Sequence, residues 1–272
     1  MTGAYSDLAC RIAYPELETI PCVSFEAAFL AVRDQSADLA MIPVDNSLAG
    51  RVADVHHLIP DGDLFICGEH FQKIHHCLLG LPGAKLDELT DVHSHVHALP
   101  QCRKIIDELK LNKHVVADTA KAAADIKKWN DRTQAAISSE LAADIYGLEI
   151  LKKDVQDATH NTTRFLIFTR DSHTPPQEDD RNYITSFLFE VRNIPAALYK
   201  ALGGFATNGV QMVKLESYVD KHFNVARFLA DVEGHIDERP LQLAFEELRF
   251  FAKRVMLLGT YPAHDFRNGL KG

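Results

Sequence analysis

Three short segments of the 272-residue chain hold residue types that could do chemistry, each beside an apolar run. The first is Asp45-Asn46-Ser47-Leu48-Ala49-Gly50, directly after Leu39-Ala40-Met41-Ile42-Pro43-Val44. A carboxylate, a carboxamide and a hydroxyl at a strand end, followed by free amides opening a helix, would hold an anion. The same residues also read as a plain cap and turn. The second is His93-Ser94-His95-Val96-His97, ahead of a helix from near Ala98 that contains Gln101 and Arg103. Alternate histidines on a strand share a face and could ligate a metal. No carboxylate or H-E-x-x-H pattern completes that set, and His56-His57 and His75-His76 show histidine to be frequent generally, so hydrogen-bonded or solvated histidines are expected. The third is Asn161-Thr162-Thr163-Arg164-Phe165, entering Leu166-Ile167-Phe168. Its hydroxyls and guanidinium could meet anionic oxygen, although threonine at a strand start is also simple β propensity. There is no P-loop, G-x-G-x-x-G turn, G-x-S-x-G elbow or Cys-His signature, so nucleotide, hydride and common hydrolase chemistry are not first choices.

Strands alternating with helices must position these segments. Ser24 caps a helix with Phe25, Ala28, Phe29 and Val32 on one face, and the Leu39 to Val44 strand follows, then a helix carrying Val52, Val55 and Leu58. The pattern repeats as a strand ending over Val92 to Val96, a helical face of Leu99, Cys102, Ile106 and Leu109, and a strand at Val115-Val116-Ala117. A helix over Thr119 to Trp129, a strand over Gln134 to Ile137 and a helix from Glu140 to Tyr146 stopped by Gly147 complete it. This order predicts an α/β fold with a mainly parallel sheet covered on both faces, with ligands beyond strand carboxyl ends. Residues 171–182, polar and with paired prolines, read as a linker. Beyond it the chain reads strand (Ile184 to Val191), helix (Ala196 to Asn208), strand (Val210 to Val219), turn (Asp220-Lys221-His222), strand (Asn224 to Val232), helix (Leu241 to Arg254) and strand (Met256 to Thr260). That is a βαββαβ unit.

Composition narrows the partners. With 46% hydrophobic and 25% charged residues the chain can bury a core, as one large domain or two of ordinary size. Twenty-nine Lys and Arg against 38 Asp and Glu give a net charge of −9 with no basic block, which disfavours nucleic acid. The apolar runs fall far short of the roughly 20 residues of a membrane span, and Met1 leads into Gly3-Ala4-Tyr5-Ser6 rather than a basic-then-apolar leader. Five cysteines, odd in number and without a C-x-x-C pair, read as reduced thiols of a cytoplasmic protein.

Taken in order, the motifs resemble the bacterial prephenate dehydratases that carry a C-terminal regulatory ACT domain. The resemblance covers nearly the whole chain and rests on Gly3-Ala4-Tyr5-Ser6, Pro43 to Gly50, Ser94-His95 with Gln101-Cys102, Ser139-Glu140-Leu141-Ala142-Ala143 and Asn161 to Phe165. Asn193-Ile194-Pro195-Ala196-Ala197-Leu198-Tyr199 and Lys214-Leu215-Glu216-Ser217-Tyr218 fall where that family has its two phenylalanine-binding motifs. The resemblance implies decarboxylative dehydration of prephenate to phenylpyruvate, without metal or redox cofactor. It implies a catalytic part over residues 1–170 with two lobes like a solute-binding protein, the second over about 77–157, and a cleft between them. It further implies a ferredoxin-like ACT domain over 183–262, a tail over 263–272, a homodimer or homotetramer, and inhibition by L-phenylalanine. A non-catalytic sensor of the same fold is the alternative.

By the same resemblance Thr163 acts on the leaving hydroxyl, with Asp45, Asn46, Ser94 and Gln101 as further catalytic candidates. Ala4, Tyr5, Ser6, Ser47, His95, Thr162, Arg164 and Phe165 are candidates to bind substrate, and Asn193, Ala196, Ala197, Leu198, Glu216 and Ser217 to bind phenylalanine. On chemical grounds His95 or a protonated Asp45 is a better acid than an alcohol, so the proton donor stays open. The chain departs from the family pattern in carrying Asp45 for the usual Glu, Ala196 for a Gly, and Tyr218-Val219 for Arg-Pro. The family's apolar strand before Gly-x-Tyr-Ser is represented only by Met1 and Thr2, so the chain is expected to be a few residues short there.

Overall fold

The computed structural model describes all residues except Gly62, Asn193, 220–224 and 271–272, and only the backbone of Asp54, His56, Asp61, Val225, Ala226 and Leu270. In chain order come α1 (Tyr5–Ala13), α2 (Phe25–Arg33), β1 (Leu39–Asn46), β2 (Gly50–Arg51), α3 (Ala53–His56), α4 (Leu58–Asp61), β3 (Phe65–Lys73) and β4 (Cys77–Gly80). These are followed by β5 (Asp91–His95), α5 (Arg103–Glu108), β6 (Asn112–Val116), α6 (Thr119–Trp129), β7 (Gln134–Ser138), α7 (Glu140–Tyr146), β8 (Glu149–Lys152) and β9 (Thr162–Thr169). The chain closes with β10 (Tyr183–Val191), α8 (Ala197–Thr207), β11 (Met212–Val219), β12 (Val225–Glu233), α9 (Arg239–Phe251) and β13 (Ala252–Pro262). The strands form three sheets, ordered β2-β1-β9-β3, β6-β5-β7-β4-β8 and β11-β12-β10-β13.

Two compact units can be separated. One comprises Met1–Ala28, Met41–His56 and His70–Phe165, and the other Phe29–Ala40, His57–Glu69 and Leu166–Gly272.

The first unit holds the five-stranded sheet. β6, β5 and β7 run parallel, each return made by a helix, and β8 keeps their direction. β4 alone opposes its neighbours β7 and β8, entering without a crossover helix, so the expected parallel sheet is a mixed one. Both faces are buried, as the run of apolar strand residues predicts. Leu79, Ala136, Ala120, Ala123, Ala142 and Ala143 pack on one side, and Leu78, Ala135, Ile137, Cys102, Ile105 and Ile106 on the other. α6 starts at Thr119 because the Asp118 carboxylate accepts from Ala120 N at 2.7 Å and Lys121 N at 3.2 Å. Ser139 caps α7 in the same way, and Gly147 ends it at φ 61°.

Ser24 caps α2 as expected, its hydroxyl accepting from Ala27 N at 3.2 Å, and in the second unit the helix buries Phe29 and Val32 as its spacing predicts. Phe187, Phe205, Phe228 and Phe245 anchor the core under the β10 to β13 sheet, whose strand and helix order is βαββαβ. The antiparallel pairs β10–β12, β10–β13 and β11–β12 set its register. Residues 170–182 contain no helix or strand, and Pro176 O accepts from the Tyr183 hydroxyl at 2.9 Å while Pro175 O lies 2.9 Å from His235 Nε2. The expected turn at Asp220-Lys221-His222 and the strand start at Asn224 lie outside the described residues.

Two boundaries differ from the sequence reading. α9 passes directly into β13 at Ala252, whose φ of −81° and ψ of 149° are extended, so Lys253 and Arg254 belong to the strand and not to the helix. The helix expected near Ala98 is a 3-10 turn over Leu99–Gln101, holding Pro100, and α5 begins only at Arg103, where the Asp157 carboxylate accepts from Arg103 N and Lys104 N. All five cysteines are free. Among the described residues no helix is long and apolar enough to cross a membrane.

Candidate active site

The first segment folds as a hairpin. β1 runs through Asp45 and Asn46, and its antiparallel partner β2 begins at Gly50, where φ is +79°. This corrects the expected helix start: Asn46 Oδ1 accepts from Leu48 N at 3.0 Å and Ala49 N at 2.8 Å, so those amides are engaged and the chain reverses before a helix can form. Ser47 ties the hairpin to β9. Its hydroxyl donates to His160 O at 2.7 Å and accepts from Thr162 N at 2.9 Å, and Ser47 N donates to Thr162 O at 2.9 Å.

With its oxygen so fixed, the Asn46 amide group has one possible direction. Nδ2 donates to Asn161 Oδ1 at 2.8 Å and to Thr163 Oγ1 at 2.9 Å. Both amide hydrogens are therefore used, and Thr163 receives one of them. Because Thr163 Oγ1 is an acceptor in that bond, its own proton points elsewhere, and no described group takes it. A hydroxyl held in this way is a directed donor.

The network continues from Asn161, whose Nδ2 donates to Gln101 Oε1 at 2.7 Å. The same oxygen lies 3.2 Å from Nε2 of His76, and His76 Nδ1 lies 2.8 Å from the Tyr5 hydroxyl. Tyr5 is the first residue of α1, its ring set edge-on to His76 with centroids 5.5 Å apart. Burial pushes the His76 imidazole down to about 4, so it is neutral at pH 7. Burial, reinforced by Cys77, Cys102 and Asp118, raises the Tyr5 phenol well above the usual tyrosine range, so it stays a donor.

Thus Tyr5, Asn46, Gln101 and Thr163 converge in the first unit, joined by Asn161 and His76. The last two were not singled out in the sequence. Asn161 stands at the head of the Thr-Thr-Arg motif, and His76 abuts Cys77-Leu78-Leu79, an apolar run that buries whatever adjoins it; His76 is 3% and Asn161 1% exposed. Arg164 is buried with Nη1 3.9 Å from the Asp45 carboxylate, placing a cation at the same hairpin. Ala4 is the residue before α1, and Gly3 N donates to Asp7 Oδ2 at 2.8 Å, which leaves the Tyr5 and Ser6 amides at the open helix start.

Other expected residues have structural employment. Ser94 is fully buried and donates to Ile137 O at 2.6 Å, so its hydroxyl braces β5 against β7 instead of facing a ligand. Phe165 is a core side chain. His95 Nδ1 accepts from His97 N at 3.4 Å, while His93 lies 2.8 Å from Gln134 Oε1 and stacks on His114. Among the described residues no three His, Cys, Asp or Glu side chains are grouped to hold a metal.

A separate pocket of about 580 Å³ lies in the second unit, lined among others by Ile194, Ala196, Ala197, Leu198, Tyr199 and Ser217. Four of the residues expected to bind phenylalanine are among these. Glu216 is not: along β11 it alternates with Ser217 and pairs with Lys214 at 3.3 Å. Asn193 lies outside the described residues. Ala196 sits at φ 60°, ψ 21°, the left-handed region that favours glycine.

Comparison with known proteins gives these arrangements a context. The prephenate dehydratase family model matches residues 1–173. The chain is 51% identical over 266 residues to a bifunctional N-acyl-homoserine lactone acylase/prephenate dehydratase of Komagataeibacter europaeus, spanning 97% of this chain and 94% of that protein. It is 40% identical over 278 residues to the chloroplastic arogenate dehydratase/prephenate dehydratase 6 of Arabidopsis thaliana, spanning 96% of this chain and 67% of that protein. A crystal structure of the Arthrobacter aurescens prephenate dehydratase in complex with L-Phe matches with a TM-score of 0.89 at 27% identity, over 97% of this chain and 88% of that one.

Proposed function

The chain belongs to the prephenate dehydratase family, and from that premise we propose that it converts prephenate to phenylpyruvate, water and carbon dioxide, with Thr163 donating to the leaving hydroxyl. It is a hydro-lyase of phenylalanine biosynthesis. In the reaction the ring C–O bond breaks with its electron pair, the bond to the ring carboxylate breaks to release carbon dioxide, and those electrons aromatise the ring. What remains for the protein is to orient a dianion and lower the charge developing on the departing oxygen. The observation that carries this reading is the Asn46 to Thr163 hydrogen bond of 2.9 Å, which aims the threonine proton away from the network. The amide hydrogens of Gln101, the open amides of α1 and buried Arg164 are donors for the two carboxylates.

The test is conversion of prephenate and of arogenate by purified protein, followed as phenylpyruvate absorbance and as phenylalanine release. A higher kcat/KM on prephenate supports the reading; preference for arogenate, which the plant relative's name gives beside prephenate, overturns the substrate assignment. A second reading, amide hydrolysis of N-acyl-homoserine lactones, is favoured by the 51% identity to a bifunctional relative. Release of free fatty acid from such a lactone by the same preparation tests it.

We also assign residues 1–170 to catalysis, in two lobes with the second over about 77–157, and 183–262 to a ferredoxin-like ACT domain that binds L-phenylalanine in the 580 Å³ pocket. The βαββαβ order and the L-Phe in the Arthrobacter aurescens relative support this. Calorimetric titration with L-phenylalanine should give heat and a fall in dehydratase rate; neither would mean that the pocket is not regulatory. A homodimer or homotetramer is expected by light scattering. The five free thiols fit a reducing cytoplasm.

A further inference from the structure

The hydrogen-bond network has a polarity that can be worked out atom by atom, whichever way the amides are drawn. Leu48 N and Ala49 N are backbone donors, so the Asn46 atom they reach at 3.0 and 2.8 Å must be oxygen. The other Asn46 atom is then NH2, and its partner on Asn161 at 2.8 Å must be oxygen. Asn161 in turn presents NH2 to Gln101 at 2.7 Å, so that Gln101 atom is oxygen as well. An oxygen 3.2 Å from His76 Nε2 requires that nitrogen to carry hydrogen. In a neutral ring Nδ1 is then a bare lone pair, and the Tyr5 hydroxyl 2.8 Å away must donate to it. His75 O lies equally close to that hydroxyl at 2.8 Å, but giving the single proton to it would set two lone pairs face to face.

We propose that His76 is a positioning residue of this site, held as its Nε2–H tautomer between Tyr5 and Gln101 so that both amide hydrogens of Gln101 remain free for an anionic oxygen of the substrate. The proposal rests on the dehydratase reading for its kinetic consequence, and on the network alone for the tautomer. Gln101 Oε1 is fully used, by Asn161 and by His76, and no described group accepts from its NH2. Without the His76 donor the carboxamide is held by Asn161 alone and can turn, which weakens binding of a carboxylate in ground and transition state alike.

Imidazole ¹⁵N NMR of the intact protein at pH 7, without substrate, should show His76 with hydrogen on Nε2 and none on Nδ1. The opposite tautomer, or an imidazolium, overturns the proposal. Tyr5→Phe keeps the ring packing and removes the donor to the neutral lone pair, so the His76 titration should move up from about 4. An unmoved titration contradicts the assignment. In kinetics with prephenate, His76→Leu should raise KM about tenfold with a smaller change in kcat, and His76→Gln, which restores a donor near Nε2, should recover most of it. Gln101→Leu should have the same effect, and the double variant should be no worse than either single one; additive losses would mean that His76 does not act through Gln101. Inactive wild-type protein would refute the dehydratase reading and leave the tautomer and titration results to decide the rest.

Discussion

At the scale of single residues, the mechanism we propose rests on hydrogen-bond direction more than on a strong acid. Asn46 engages its carboxamide oxygen within the hairpin and both amide hydrogens with Asn161 and Thr163, and Thr163 inherits a fixed lone-pair direction from it. Asn46→Asp removes both donors and sets a carboxylate oxygen against Asn161 Oδ1, so kcat should fall roughly a hundredfold and Tm should drop as well; a kcat near wild type would mean that Thr163 needs no alignment. His76 gives a pH signature. Its ordinary value is near 6.5 and burial holds it at about 4 in the folded protein, so the unfolded chain binds the extra proton between those values. Stability is therefore fully retained above about pH 6.5 and falls toward pH 4, by up to roughly 3 kcal/mol from this one group. The groups facing it are Tyr5, His75 with its Asp154 partner, and Gln101. Urea melts across that range should show the loss, and His76→Gln should flatten it. The types Asn, Thr, Arg and Gln were legible as site material from the motifs. Asn161 and His76 were not, because their value lies in contacts between segments as far apart as Tyr5 and His76 in one case and Gln101 and Asn161 in the other.

At the scale of elements, local signals placed most helices and strands. The spacing of Phe29 and Val32 marked α2, Gly147 ended α7, and the final βαββαβ order followed from alternation and helical period. α1 escaped, as did β2, β3, β4 and β8, and the boundary between α9 and β13 shifted because no Gly or Pro marks the change. Where helix and strand meet without punctuation, tertiary packing decides, and a single chain's pattern does not reveal it. Ala196, in the left-handed region before α8, is the opposite case: glycine is the expected residue and alanine is tolerated. Ala196→Gly should stabilise the protein by about 1 kcal/mol, seen as a higher Tm, and a lower Tm would mean the methyl packs productively. The tail supplies another test. Arg267 holds Glu69 of β3 by Nη2 at 2.8 Å and Nε at 2.5 Å, with Glu69 fully buried. Arg267→Met removes both of these charge-assisted bonds and leaves His264 N, at 3.2 Å, as a donor to the carboxylate, so it should cost about 2 to 3 kcal/mol in chemical denaturation, whereas Glu69→Gln should cost less.

At the scale of the whole molecule, a chain of net charge −9 is asked to bind a dianion. In the proposed reading local donors offset this: the open start of α1, the Thr163 proton, the Gln101 amide hydrogens and Arg164, itself ion-paired with Asp45 at 3.9 Å. In the reading we propose, the second unit adds a means of control, and a ligand that binds its folded pocket also stabilises the protein by mass action. L-Phenylalanine at about a hundred times its Kd should add roughly 2.7 kcal/mol, visible as a rise in Tm that saturates with dose. No rise would mean that L-phenylalanine does not bind the folded pocket. The central claim is that Thr163 assists departure of the ring hydroxyl, and kcat for phenylpyruvate formation tests it most directly. We expect Thr163→Ala to lower kcat by about 10² to 10³ at unchanged fold, with Thr163→Ser retaining most of the activity. A Thr163→Ala enzyme within a few fold of wild type would contradict the account.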